Sequence, residues 1–217
     1  MVELLKLVRR SPLDDWRARF EAIAPAIVLS EMPFTNMINL RVVPGTPHAD
    51  ALEASLGVRL PRDRSSVELS SSADDLTAIW LAPDEFLLVS GVRSAEWMLE
   101  IIRGSLEGDG QGGDGRGGDG RAVVVDVSAQ RTALALSGPQ SRDLLAGGCS
   151  ADLSAEAAPT GTTVQTMLAQ AGVIILVTDA DAGAFLLLVR ASFADYLATW
   201  LTTGAVEYDP VGVVPSR

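Results

Sequence analysis

One histidine, one cysteine and a short acidic and basic cluster are the residues on which chemistry could be built in this chain of 217 residues. His48 follows Pro47 at the start of a helical pattern, which reads as a solvated helix-start residue. A Ser-His-Asp triad would have to use it, and no nucleophile-elbow sequence is present. Cys149 follows Gly147-Gly148 at a helix exit, a position that suits a small apolar packing residue. A single Cys and a single His cannot make an N/S zinc site. Asp84-Glu85 look like paired carboxylates. They sit at a Pro-containing turn between two strands, where successive side chains diverge, and read as a solvated turn. The most suggestive polar cluster is Asp126, Ser128 and Arg131. The planar fork of Arg131 could reach a partner subunit or a carboxylate ligand, or it could pair internally with Asp126 to hold a hairpin.

Composition narrows the classes. The formal net charge is −11, which argues against nucleic acid and against an anionic membrane surface, since both call for a basic face. A chain of this length can bury about 70% of its unfolded surface, so it needs no disulfide staples. The lone cysteine suits a reducing compartment, and the apolar run Leu4–Val8 is too short for a signal peptide, so the expected location is the cytoplasm. The longest apolar runs, such as Val173–Val177, are of strand length, and no membrane span is expected. No Walker loop occurs, and no G-x-G-x-x-G follows a strand, so no nucleotide site is expected.

The elements that must position these residues repeat. FLLVSGVRSAEWMLEII begins at Phe86, and FLLLVRASFADYLATWL begins at Phe185, and the two align without a gap. Both read as a buried strand followed by an amphipathic helix. Ser192 with Asp195 predicts a capping box for the second helix. Upstream, the first half reads Asn36–Val43 strand, Ala49–Leu56 helix with Gly57 as its cap, then strands Val67–Leu69, Leu76–Leu81 and Glu85–Val89, and helix Ser94–Leu106. In the second half a further strand, Val123–Val127, leads into strand Arg131–Ser137 and helix Gln140–Ala146. Pro139 is suited to the first helical position there. Strands Thr162–Leu168, Gly172–Thr178 and Ala184–Val189 and helix Ser192–Thr203 complete it. Each half is therefore a β-α-β-β-β-α unit, and the fold class is α+β with an internal duplication.

Residues 1–103 are expected to form the first repeat with an N-terminal helix, and 121–217 the second, the two packed as one compact unit. Trp16 lies on the N-terminal helix with Leu13, Phe20 and Ile23 on one side, a face that could rest on this domain or on another chain. Trp80, Trp97 and Trp200 read as core packing. Between the halves, residues 104–120 are glycine-rich, with pentads starting at Gly108, Gly113 and Gly118. Such a segment buries nothing and is expected to be a flexible loop. Its Asp109, Asp114 and Asp119 match neither an EF-hand nor the calcium nonapeptide repeat.

Taken in order, several short stretches resemble the γ subunit family of heterotetrameric sarcosine oxidase. They are Arg10-Ser11-Pro12-Leu13, Asn39-Leu40-Arg41, Trp80–Val89, Val125–Thr132, Leu136-Ser137-Gly138-Pro139, Arg142–Leu145, Gly148-Cys149, Leu188-Val189-Arg190 and Ser192–Leu197. The resemblance implies an aminomethyltransferase-like folate-binding fold. It implies a non-catalytic accessory role in a complex that demethylates sarcosine oxidatively to glycine, with hydrogen peroxide and methylene-tetrahydrofolate or formaldehyde as the other products. It places FAD, FMN, NAD and tetrahydrofolate on the α and β chains and zinc on the δ chain, with no cofactor on this one. It makes α the chief partner. Aminomethyltransferases carry a Gly-Gly-x-x-Asp-Asp/Glu pattern, whereas the corresponding Leu76–Leu81 has neither paired glycines nor an acid. The competing reading is a stand-alone folate-binding enzyme or regulator of the same fold. As an accessory chain its function is a surface or a structural motif. The candidates are Trp16, Phe20, Asp126, Ser128, Arg131, Ser137, Gly138 and Pro139.

Overall fold

The runs Phe86–Val89 and Phe185–Val189 have no polar face because both faces of their strands are covered, helices on one side and a second sheet on the other. The computed structural model describes residues 9–23, 25–63, 66–68, 76–107 and 122–208. After a 3-10 turn at Asp14–Trp16, the first half contains α1 (Arg17–Glu21), β1 (Val28–Met32), β2 (Asn36–Arg41), α2 (Pro47–Leu56), β3 (Ser66–Glu68), β4 (Leu76–Ala82), β5 (Glu85–Ser90) and α3 (Ala95–Glu107). The second contains β6 (Val123–Asp126), β7 (Arg131–Ser137), α4 (Ser141–Ala146), β8 (Thr163–Leu168), β9 (Ala171–Asp179), β10 (Ala184–Arg190) and α5 (Ala194–Ala205).

Two five-stranded antiparallel sheets result, ordered β1-β7-β10-β9-β8 and β6-β2-β5-β4-β3. Read against each other, the orders are the same pattern with the lead strands exchanged. β1 leaves its own half to pair with β7, Met32 opposite Ala133, and β6 crosses the other way to pair with β2, Val125 opposite Asn39. The sequence reading of each half lacks β1 altogether and does not foresee this exchange. Its pattern is five residues long with one fully covered side chain, Leu29, so periodicity has little to register.

Strand alternation then sorts the core into three layers. Leu134, Leu136, Leu187 and Val189 pack under α4 and α5. Ile38, Leu40, Phe86 and Leu88 pack under α2 and α3. Met37, Ile79 and Leu87 of one sheet meet Ala133, Ile174 and Leu188 of the other. Thr46 caps α2 by accepting the Ala49 N–H at 3.3 Å, and Gly57 at φ +67° ends it. Ser94 caps α3 in the same way, accepting the Trp97 N–H at 3.2 Å.

Four expectations are corrected in detail. Residues 104–107, assigned to the glycine-rich segment, are the last turn of α3, since Leu106 packs onto the helix-side core. Pro139 lies in the turn before α4, whose N-cap is Gln140. The capping box at Ser192 does not form. Ser192 is inside a 3-10 turn, the N-cap of α5 is Phe193, and the Asp195 carboxylate is engaged by Trp16. Asp84 and Glu85 do not diverge, since both approach Arg41, at 3.4 and 3.9 Å, because Asp84 sits in the turn and only Glu85 has entered the strand. Residues 108–120, with Asp109, Asp114 and Asp119, lie outside the described residues, as does Leu69. No helix among the described residues is long and apolar enough to cross a membrane.

Candidate functional site

The expected Asp126–Arg131 hairpin does not form, because β6 pairs with β2 and β7 with β1 and β10 in the other sheet. The turn that carries the chain between the sheets is held by Asp126 and Ser128, without Arg131. One carboxylate oxygen of Asp126 accepts the Ser128 N–H at 2.9 Å and its hydroxyl at 2.6 Å. Ser128 Oγ in turn accepts the Met37 N–H at 3.0 Å, and Met37 O accepts the Val127 N–H at 2.9 Å. Asp126 and Ser128 therefore pin the crossing strand β6 to the start of β2. That accounts for their spacing by structure, and it frees Arg131.

Arg131 opens β7, and its register partner on β10 is Arg190. Alternation places both on the face of the sheet that carries Ala133 and Leu188, toward the second sheet. Directly opposed residues hold their Cβ atoms about 5 Å apart, and like charges so placed destabilise the pair. Among the described residues neither guanidinium forms an ion pair. Among the described residues the Arg131 side chain donates to the side-chain carbonyl of Gln130 alone. Burial first, and the Arg190 charge second, push the Arg131 pKa below the usual guanidinium value, against a weaker pull from Glu85. Glu85 is held elsewhere, its carboxylate accepting from Asn39 Nδ2 at 2.8 Å.

The two arginines face an open cleft of about 360 Å³. Ile174 and Leu188 line it, Gln165 and Gln170 supply amides, and Met167 and Phe193 complete the wall. Gln165 also donates to Leu81 O at 2.7 Å, which ties the cleft to the second sheet. The arrangement suits an anion: it offers two guanidinium forks for carboxylate oxygens next to apolar surface, and its lining among the described residues includes no His, Cys, Asp or Glu to act as nucleophile or general base.

The other candidates are structural in their contacts. Trp16 and Phe20 are 7% and 6% exposed, stack with centroids 5.9 Å apart and belong to the core under α5. Ser137-Gly138-Pro139 folds against the segment before β1. Gly138 has φ +114°, and a Cβ there would stand 2.5 Å from Ala26 O. Cys149 is buried in the same core, and His48 lies half-buried in the first turn of α2. Among the described residues no three His, Cys, Asp or Glu side chains come together.

Compared with known proteins, residues 44–207 match the sarcosine oxidase, gamma subunit family. The chain belongs to that family. It is 32% identical over 210 residues to the sarcosine oxidase subunit gamma of Corynebacterium sp. (strain U-96), covering 95% of this chain and 94% of the relative. It superposes on a chain of the heterotetrameric sarcosine oxidase from Corynebacterium sp. U-96, in complex with pyrrole 2-carboxylate, with TM-score 0.78 and 31% identity over 92% of this chain and 96% of the other. The glycine cleavage system aminomethyltransferase T of Bartonella henselae shares the fold, with TM-score 0.55 and 18% identity over 85% of this chain and 47% of that one. This γ-family chain therefore shares its α+β fold with aminomethyltransferase T, and its two halves are completed by exchanged strands.

What sequence reasoning missed in this γ-family chain is Arg190 as the counterpart of Arg131. The stretch Leu188-Val189-Arg190 was legible as a strand end. The pairing of that end with the start of β7 is a register fact that appears only once the sheet is assembled.

Proposed function

We propose that this chain is the non-catalytic accessory γ subunit of a heterotetrameric sarcosine oxidase. The observation that carries the reading is the near full-length match, in sequence and in backbone, to a sarcosine oxidase chain. The partners are α, β and δ chains, with α the chief contact. FAD, FMN, NAD, tetrahydrofolate and zinc belong to those other chains. The assembly oxidises the N-methyl group of sarcosine, releasing glycine, reducing oxygen to hydrogen peroxide and passing the methyl carbon to tetrahydrofolate or to formaldehyde, in the cytoplasm. The side chains agree with an accessory role, since strand β4 offers no acid where the aminomethyltransferase pattern carries one.

The test is co-expression with and without this chain. With it, a four-chain complex is expected to purify with sarcosine-dependent peroxide production. Without it, assembly or solubility of the α chain is expected to fall. If the purified chain alone turns over a folate substrate, or if the complex assembles and works unchanged in its absence, the accessory reading is wrong. Tight folate binding by the isolated chain favours the stand-alone reading instead.

A further inference from the structure

We propose that the Arg131–Arg190 cleft is a docking site for a carboxylate side chain, Asp or Glu, on an acidic segment of the partner α chain. This rests on the accessory reading above and names the surface through which it operates.

Two observations carry it. The first is charge. Arg131 and Arg190 are directly opposed across β7 and β10, on one face, with no ion-pair partner among the described residues. Elsewhere on the equivalent face of the other sheet the register is complementary, Arg41 standing opposite Glu85. A chain with net charge −11 has carboxylates to spare, yet among the described residues none comes within ion-pair distance of this pair, and Glu85, whose charge reaches Arg131, is bonded to Asn39. The energetic deficit is of the kind that an incoming anion removes, because a carboxylate between two guanidinium forks satisfies both.

The second observation is the rim. Met167, Phe193 and Tyr196 are 52%, 43% and 38% exposed. Phe193 and Tyr196 are edge-to-face with centroids 6.5 Å apart, and Tyr196 Oη accepts the N–H of the cleft residue Gln170 at 3.3 Å. The apolar surface thus continues beyond the cleft. Small-molecule sites enclose most of their ligand, whereas an open cationic notch beside exposed aromatic and Met side chains has the composition of a protein interface. The occupant that fits is a carboxylate borne by a chain whose apolar residues lie on Phe193 and Met167.

The experiment measures binding of the α chain to wild type, Arg190→Gln and the double variant Arg131→Gln/Arg190→Gln, with a thermal melt of each. Arg190 is exposed, so its single variant keeps the test meaningful if the double variant folds poorly. The expected result is a loss of affinity of about tenfold or more for folded Arg190→Gln, and a larger loss for the double variant. Wild-type affinity in both folded variants overturns the proposal while leaving the accessory reading intact. Failure of the wild-type chain to bind α overturns both. Glutarate in excess is the small-molecule probe. If it stabilises wild type, that effect disappears in Arg190→Gln and α binding is unmoved, the cleft takes a free carboxylate and the docking proposal falls.

Discussion

The Trp16 indole N–H donates to Asp195 Oδ1 at 2.7 Å, joining residues 179 positions apart in the chain. This one bond anchors the N-terminal segment on α5, and the Trp16 ring completes the core beneath it. Arg19 lies over the same ring at 4.6 Å, which adds a cation to its outer side.

Trp16→Phe keeps most of the buried ring and removes the donor, so it is expected to cost about 1–2 kcal/mol in urea unfolding. Trp16→Ala also empties the site and is expected to cost about 3–5 kcal/mol. Burial therefore makes Trp16 a determinant of folding. A Trp16→Ala protein that unfolds at the wild-type urea concentration sinks this assignment.

Gly138 and Gly104 should respond oppositely to alanine. At Gly138 the φ of +114° is hostile to a side chain, and the added methyl would meet backbone atoms of Ala26 and Ile27 that cannot swing aside. The expected loss exceeds about 3 kcal/mol. Gly104 is in the last turn of α3, where a Cβ would meet nothing within 4 Å, so alanine should stabilise by up to about 0.5–1 kcal/mol. Equal melting temperatures for the two variants would contradict both halves of the argument.

This contrast marks what was legible in the sequence. Strands β5, β9 and β10 and helices α2, α3 and α5 follow from local periodicity, with the Gly57 cap marking the end of α2, and the duplication follows from the match between the runs at Phe86 and Phe185. The exchange of β1 and β6 does not, because nothing local says which sheet a short strand joins. The cleft was half legible. Arg131 stood out beside Asp126, but Asp126 is taken by Ser128, and Arg190 becomes its counterpart only through register. Asp195 read as a capping residue because Trp16, its actual partner, enters from the far end of the chain.

Arg142 illustrates a charge used for architecture. Its two terminal nitrogens donate to Leu153 O and Ala180 O, at 2.5 and 2.6 Å, and its guanidinium lies 5.3 Å from the Phe185 ring centroid. It ties α4 to two loops at once. Lysine has a single ammonium and cannot bridge both carbonyls in the plane of a fork. Arg142→Lys is expected to lower stability by about 1–3 kcal/mol, with an unchanged far-UV spectrum. A neutral result in chemical denaturation would show that solvent satisfies these carbonyls.

Arg131 should behave in the reverse manner, and the sign follows from its pKa. Burial and the facing Arg190 lower that pKa relative to the unfolded chain, so the folded state holds this proton less tightly. A cation with a lowered folded pKa weakens the fold wherever it stays charged, and the cost is relieved only as pH rises through the folded value toward the unfolded one. Guanidinium titrates far above neutrality, so across about pH 6–9 the cost is constant. Arg131→Gln removes the charge and keeps an amide that can bond Gln130. It is expected to leave the isolated chain as stable as wild type or slightly more so, within about 0.5 kcal/mol, with no pH dependence over that range. Thermal melts at several pH values check this. A marked loss of stability would mean that Arg131 is satisfied inside its own fold, in which case its charge needs no external partner.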